Sequence, residues 1–241
     1  NLAAGPAINR LGLDVYHSLH HFLPPGLRVP RVALTLHDLI WVEHARLTFD
    51  TRWAWMLWRV THLYGLATMR HALGRADHVV AISAHSAERA RARCGLPPDR
   101  VSGVHHGADH ATGNGDGTLR RESDEPYLLS LGNSKPYKNL HGLLHAFALT
   151  APRRPGLRLK IVGRGDSFGN LRTLADRLGI AARVHFVGRV DDAELLRLFA
   201  GARALVFPSL IEGFGLPLVE AMALGCPVVT SAIPVVREIV G

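Results

Sequence analysis

Lysine is nearly missing from this sequence: it stands only at 135, 138 and 160, so arginine makes up the rest of the 28 basic residues. Those arginines are spread along the chain. A formal net charge of +8 without a basic block argues against the single cationic face that a nucleic-acid reader needs. Dispersed arginine fits a compositional bias, phosphate-bearing substrates or an anionic membrane surface, and no nucleic-acid partner is expected. Cysteine is rarer still. Cys94 and Cys226 lie far apart and match neither a disulfide framework nor a metal-binding pair, which fits a reducing compartment. No apolar run approaches the ~18 residues of a membrane-spanning helix, and the residues from Asn1 onward lack the basic-then-apolar order of a secretion signal. A soluble, cytosolic chain is the expectation. An initial Met is also lacking, and the last residues, VVREIVG, stop inside a helix-like run. The chain therefore reads as a piece of a longer protein.

What is present suffices for a real core: of 241 residues, 47% are hydrophobic and 20% charged, enough for one large or two modest domains. From Ala111 to Glu125 the run ATGNGDGTLRRESDE is polar, Gly-rich and without apolar periodicity, as a linker would be. It divides the chain into an N-terminal domain, 1–122, and a C-terminal domain, 123–241. In the second, YLLSLG, LRLKIVG, RVHFVG, ALVFPS and PVVTS are short apolar runs of the kind buried on both faces of a parallel sheet. Helical stripes separate them: Leu140, Leu143, Leu144 and Phe147, then Leu171, Leu174, Ala175 and Leu178. Asn170 is the expected N-cap and Gly179 the expected residue past the end of that second helix, with Asp191 or Asp192 capping the third. VALTLHD, HVVAIS and VSGVHHG read as strands of the N-terminal domain, and 52–72 as a long helix. Strand and helix alternating this often predict doubly wound sheets with ligands at the carboxyl ends of the strands.

The segment SLIEGFGLPLVEAMALGCPVV carries the most chemistry. It follows a strand ending at Pro208, turns through Gly213 and Gly215, places Pro217 at the first position of a helix and ends that helix at Gly225. Free amides and the positive end of a helix dipole suit an anionic or hydroxyl-rich ligand, and glycines let it approach the backbone closely. Glu212 and Glu220 flank the turn. Upstream, LGNSKPYKNLHGLLHAF puts Lys138 where a strand gives way to a helix, a place from which a cation can neutralise a diphosphate.

The paired glutamates of EGFGLPLVE resemble the E-x7-E motif of glycosyltransferase family 4, retaining enzymes of the two-Rossmann GT-B fold. The resemblance implies that fold, α/β with two doubly wound parallel sheets facing a cleft, both incomplete here. It implies that Glu212 contacts the hydroxyls of the transferred sugar, Glu220 the ribose hydroxyls, and the backbone from Gly213 through Phe214 and Gly215 to Leu216 the sugar. The run from Gly132 to Lys138 is similar to the family's G-x5-K element, whose Arg and Lys grip the phosphates. Here Asn133 stands where many members have Arg, in a GN-x-x-P-x-KN form resembling mannosyltransferase-like members, and Lys135 is the candidate for the lost charge. IVGRGD, with Gly163, resembles a weak phosphate loop, and FVGRV the place where the base rests; Arg164 and Arg189 receive no role. His37 in LTLHDLIW, beside Asp38, resembles the strand-end pair whose His lines the sugar pocket. Ser83, and HHGAD with His106, Gly107 and Asp109, resemble two further family elements, His106 replacing the usual Asn.

The resemblance implies a hexosyltransferase, with Glu212, His37 and Lys138 as catalytic residues. The donor is a nucleoside diphosphate sugar, GDP-mannose first, and the acceptor a glycan or a lipid-linked acceptor. It implies front-face attack with retention at the anomeric carbon, no cofactor and no protein-bound metal; His17, His20 and His21 have no Cys or carboxylate at ligand spacing. A nucleotide-sugar epimerase of the same architecture, or a non-catalytic binding relic, is the alternative. On the 52–72 helix, Trp53, Leu57, Val60 and Tyr64 share one face, read as core packing, with Arg52, Arg59, His62 and Arg70 nearby; such a helix also suits peripheral contact with the inner membrane face.

Overall fold

Every run read as a strand pairs in parallel, as expected for apolar stretches that must hide both faces under helices. The computed structural model describes residues 3–44, 52–112, 125–164 and 168–241, with 52–61 and 112 as backbone alone. Two units emerge, one of Asn1–His106 with Glu212–Phe214 and Gly241, the other of Gly107–Ile211 with Gly215–Val240. From 113 to 124 the stretch read as a linker lies outside the described residues.

The first unit runs α1 (Ala4–Asn9), β1 (Val15–Ser18), β2 (Arg31–Leu36), α2 (Ile40–Glu43), α3 (Arg52–Arg75), β3 (His78–Ala81), α4 (Ala84–Cys94) and β4 (Val101–Gly103). Its sheet order is β1-β2-β3-β4. Leu34, Leu36, Val79 and Ala81 are fully buried at its centre, and each large aliphatic side chain hidden this way contributes about 1.5–3 kcal/mol. Met69, Ala72 and Leu73 bring the C-terminal half of α3 onto that core. The side chains of Trp53, Leu57 and Val60 lie outside the described residues, while Tyr64, expected in the core, is exposed. The buried stripe runs through Gly65, Met69 and Ala72, one position out of register with Tyr64. α4 starts because the Ser83 hydroxyl accepts from the Ser86 amide, and it stops at left-handed Gly95 (φ 66°).

The second unit runs α5 (Asp109–Thr112), β5 (Tyr127–Leu131), α6 (Leu140–Thr150), β6 (Arg158–Val162), α7 (Gly169–Arg177), β7 (Val184–Gly188), α8 (Asp192–Gly201), β8 (Ala204–Phe207), α9 (Leu216–Ala223), β9 (Val228–Thr230) and α10 (Pro234–Val240). The strand order is β7-β6-β5-β8-β9, so successive crossovers move away from β5 first to one side and then to the other. The stripe of α6 buries as read, Leu140, Leu143, Leu144 and Phe147; in α7 Leu171, Leu174 and Ala175 are buried, while Leu178 falls at the C-cap and is half-buried. Asp191 caps α8 by accepting from the Glu194 amide at 2.8 Å.

Three details differ from expectation. The N-cap of α7 is Phe168, not Asn170, with no side-chain bond; the fully buried Phe168 ring sets the entry of this helix by packing. Pro217 is the second residue of α9, after Leu216, where its missing N–H is equally harmless. β1 carried no sequence signal, because His17 and Ser18 dilute its apolar pattern. The two helix ends expected at glycine are confirmed as paired turns. Gly179 donates to Asp176 O and Ile180 to Ala175 O, while Gly225 donates to Met222 O and Cys226 to Ala221 O.

Candidate functional site

In the second unit β5 and β8 are neighbours whose following helices diverge, which makes their carboxyl ends a topological switch point. Both motif-bearing loops leave from there. After β5 the chain turns because the Asn133 side-chain oxygen accepts from the Lys135 amide at 3.1 Å, an Asx turn. Pro136–Lys138 then form one tight turn, with Lys138 N–H donating to Lys135 O at 2.9 Å. Asn139 closes it in the left-handed region (φ 53°, ψ 34°) before α6 begins, a conformation that Asn tolerates better than other side chains. The Lys138 stem runs over Gly132, where an added Cβ would lie 3.5 Å from Lys138 Cγ. Its ammonium lies 5.4 Å from the centroids of both Tyr137 and Phe207. Phe207 ends β8, so the cation sits over the tips of both switch-point strands. The Leu210 amide, beyond β8, donates to Tyr137 O at 2.8 Å and ties the two loops together.

Gly163, at the next strand tip, is required by packing. A Cβ there would fall on the carbonyl oxygen of Gly132 and 3.0 Å from the Phe168 ring.

α9 starts at left-handed Gly215 (φ 114°) with no side-chain cap. Pro217 has no N–H, and the Leu218 amide donates to Gly215 O at 2.8 Å. Of the opening amides, that of Leu216 has by position no carbonyl one turn back to donate to. Glu220 lies one turn further, its side chain 15% exposed and bonded through Oε1 to His110 Nε2 at 2.9 Å.

The other matched residues belong to the first unit. His37 follows β2, and its Nε2 meets Leu19 O at 2.8 Å; a carbonyl only accepts, so Nε2 carries the proton and a neutral ring leaves Nδ1 as acceptor. The rings of His37 and His106 stack at 6.0 Å. Burial first, and then the neighbouring His37, pull the His106 pKa below the ordinary histidine value. Asp38 accepts from the Ile40 amide at 2.9 Å and so starts α2. Glu212–Phe214 pack here too. Gly213 O accepts from Ser83 Oγ at 2.9 Å and Ser86 Oγ at 3.1 Å. A Cβ on Gly213 would overlap His37 O and lie 2.8 Å from the Asp38 Cβ. Phe214 is buried against His105 and His106, at 5.5 and 5.4 Å between centroids.

The structure thus gathers Gly132, Asn133, Lys138, Gly163, Gly215, Leu216 and Glu220 in one unit, and His37, Gly213 and Phe214, with Glu212 leading that segment, in the other. Sequence reasoning passed over His110 although it directly follows the HHGAD run; its signal is distance in space, not spacing along the chain. The Ser86 hydroxyl and the Tyr137–Leu210 link were also invisible. His17 bonds Thr35 Oγ1 at 2.9 Å, and among the described residues no group of three His, Cys, Asp or Glu side chains is placed to hold a metal ion. No helix among them is long and apolar enough to cross a membrane.

Residues 116–241 match the family described as Glycosyl transferases group 1, and residues 3–112 match Glycosyltransferase Family 4. The chain is 39% identical over 118 residues to O-antigen chain mannosyltransferase B of Escherichia coli, covering 48% of this chain and 31% of that protein. It is 31% identical over 215 residues to MMP alpha-(1->4)-mannosyltransferase of Mycolicibacterium hassiacum, covering 88% of this chain and 50% of that protein. It therefore spans half or less of the length of these relatives. Among solved structures, WaaG, a glycosyltransferase involved in lipopolysaccharide biosynthesis, superposes with a TM-score of 0.75 at 20% identity, over 95% of this chain and 62% of that one. That likeness shows the fold, the two-Rossmann GT-B type.

Proposed function

The chain belongs to the Glycosyl transferases group 1 family, and we propose that it carries the donor site of a retaining hexosyltransferase that moves mannose from GDP-mannose to an acceptor hydroxyl. The observation that carries the reading is the pair of loops at the β5/β8 switch point. One bears Gly132 and Lys138, the other leads to Gly215, Leu216 and Glu220, and the Leu210–Tyr137 hydrogen bond joins them. Mannose is favoured by the GN-x-x-P-x-KN run and by mannosyltransferases among the relatives.

In this reading the bond from the anomeric carbon to the diphosphate breaks while the acceptor oxygen bonds to that carbon on the same face. The acceptor's proton passes to the leaving phosphate. Lys138 and the opening amide of α9 offset the charge that grows on that phosphate. Glu220 accepts from the ribose hydroxyls, and Glu212 and His37 are assigned to the hydroxyls of the transferred sugar. No step is assigned to a protein-bound metal. The acceptor is a glycan or a lipid-linked acceptor met from the cytoplasm at the inner membrane face, which the exposed Leu63, Tyr64 and Arg70 of α3 support.

The test is a screen of nucleotide sugars for donor hydrolysis and transfer, with product analysis to separate transfer from epimerisation. Release of GDP from GDP-mannose is expected. Glu212→Ala and Lys138→Ala should each reduce turnover about 100-fold at unchanged melting temperature. Turnover within twofold of the parent in either variant refutes the assignment.

A further inference from the structure

We propose that His110 is a positioning residue of the nucleotide site, holding the Glu220 carboxylate in the orientation that receives a ribose diol. The proposal rests on the assignment of Glu220 to the ribose. His110 lies on α5, a single turn packed directly against α9. Its neighbour Ala111 is 2% exposed and donates its amide to Ala108 O at 2.8 Å, so the backbone beneath the imidazole is anchored although the ring itself is mostly in solvent. From there Nε2 reaches Glu220 Oε1 at 2.9 Å. The Glu220 side chain is 15% exposed against 59% for His110.

That asymmetry decides what the pair is for. A surface pair with one partner this exposed adds little to stability. What it does is restrict a carboxylate that sits largely out of water. A carboxylate offers about four lone-pair sites; His110 occupies one on Oε1, leaving Oε2 and the second site on Oε1 to accept from two vicinal hydroxyls. Both the neutral tautomer protonated on Nε2 and the doubly protonated ring donate through Nε2, so the restraint does not depend on the charge of the histidine. The role belongs to the donor atom, which makes it separable from a structural role. Glutamine places a donor amide at a similar reach, whereas alanine places none.

The experiment measures, by calorimetry, the binding of GDP, UDP and ADP and of their 2′-deoxy forms to the 241-residue chain and its variants. The parent is expected to prefer the ribose form of its tightest nucleotide by about tenfold, the size of one hydrogen bond to a charged group. Glu220→Ala should abolish that preference. With Glu220→Ala behaving so, His110→Ala should reduce the preference to about threefold or less and His110→Gln should restore most of it, both at unchanged melting temperature. A parent-like preference in His110→Ala, or no recovery in His110→Gln, overturns the role of His110 while leaving Glu220 on the ribose. A preference that survives Glu220→Ala, or a parent chain without any, overturns the ribose assignment and the proposal together. If His110→Ala melts early, the ratio is read at 10 °C and the decision falls to His110→Gln against His110→Asn, whose shorter amide should fail to rescue.

Discussion

Replacing Gly163 by alanine tests whether the donor-side strand tips are held together by the absence of a side chain. Gly132 continues the β5–β6 ladder and Gly163 the β6–β7 ladder, with Gly132 N–H donating to Val162 O at 3.0 Å and Gly163 N–H to Gly188 O at 2.9 Å. The new Cβ would land on Gly132 O, a backbone atom, with the buried Phe168 ring 3.0 Å away on another side. Ordinary van der Waals spacing then requires the tips to separate by roughly 1 Å. Overpacking of this kind costs about 1–3 kcal/mol, offset by about 0.4–1 kcal/mol from the stiffer unfolded chain. The net loss is about 1–2 kcal/mol, or a melting point lower by about 2–8 °C for a chain of this size. Gly169→Ala, in the same unit, is the control. At the first residue of α7 a Cβ meets nothing within 4 Å, so that variant should melt about 1–4 °C higher. Scanning calorimetry on both variants decides it. Gly163→Ala melting at or above the parent refutes the packing argument, and with it the claim that the Gly132 loop owes its position to Gly163.

Asn139→Val should destabilise by about 1–2 kcal/mol in urea titration, because a β-branched residue must hold the left-handed conformation at φ 53°, whereas Asn139→Gly should be close to neutral. Ser83→Ala removes both the α4 cap and a donor to Gly213 O and should cost about 1–3 kcal/mol; equal stability would show that neither bond matters. His21 is buried beside Trp41, and burial first, then His20 and His37, lower its pKa to about 4 from 6.5. The unfolded chain takes up that proton near pH 6.5 and the folded chain only near 4, so stability should fall across that window, on the order of 2 kcal/mol, and be restored in His21→Phe. Burial, and secondarily Glu43, raise the Cys94 thiol pKa above 9.0; at pH 8 its alkylation by iodoacetamide should run at least several-fold slower than that of free cysteine, and an equal rate would contradict the burial.

The apolar runs and 3.6-residue stripes determined the strand and helix order, because parallel strands buried on both faces and helices buried on one leave period and composition as their only degrees of freedom. Gly179 and Gly225 announced helix ends for the same reason: only the left-handed backbone lets the chain reverse there. The glutamate spacing of EGFGLPLVE and the Gly132–Lys138 run were legible as motifs, since each is a single continuous turn. Register, caps made by packing and pairs across elements were not legible. Tyr64 fell one position out of the buried stripe of α3, and Phe168 displaced Asn170 as the start of α7 by filling space rather than by hydrogen bonding. Gly163 was legible as a strand-tip glycine, but its close approach to the Gly132 carbonyl, from another strand, was not. Likewise, His110 meets Glu220 across 110 residues of chain, and Tyr137 meets Leu210 across a strand boundary. Chain-local chemistry could be read from order alone; proximity between distant segments exists only once burial has brought them together.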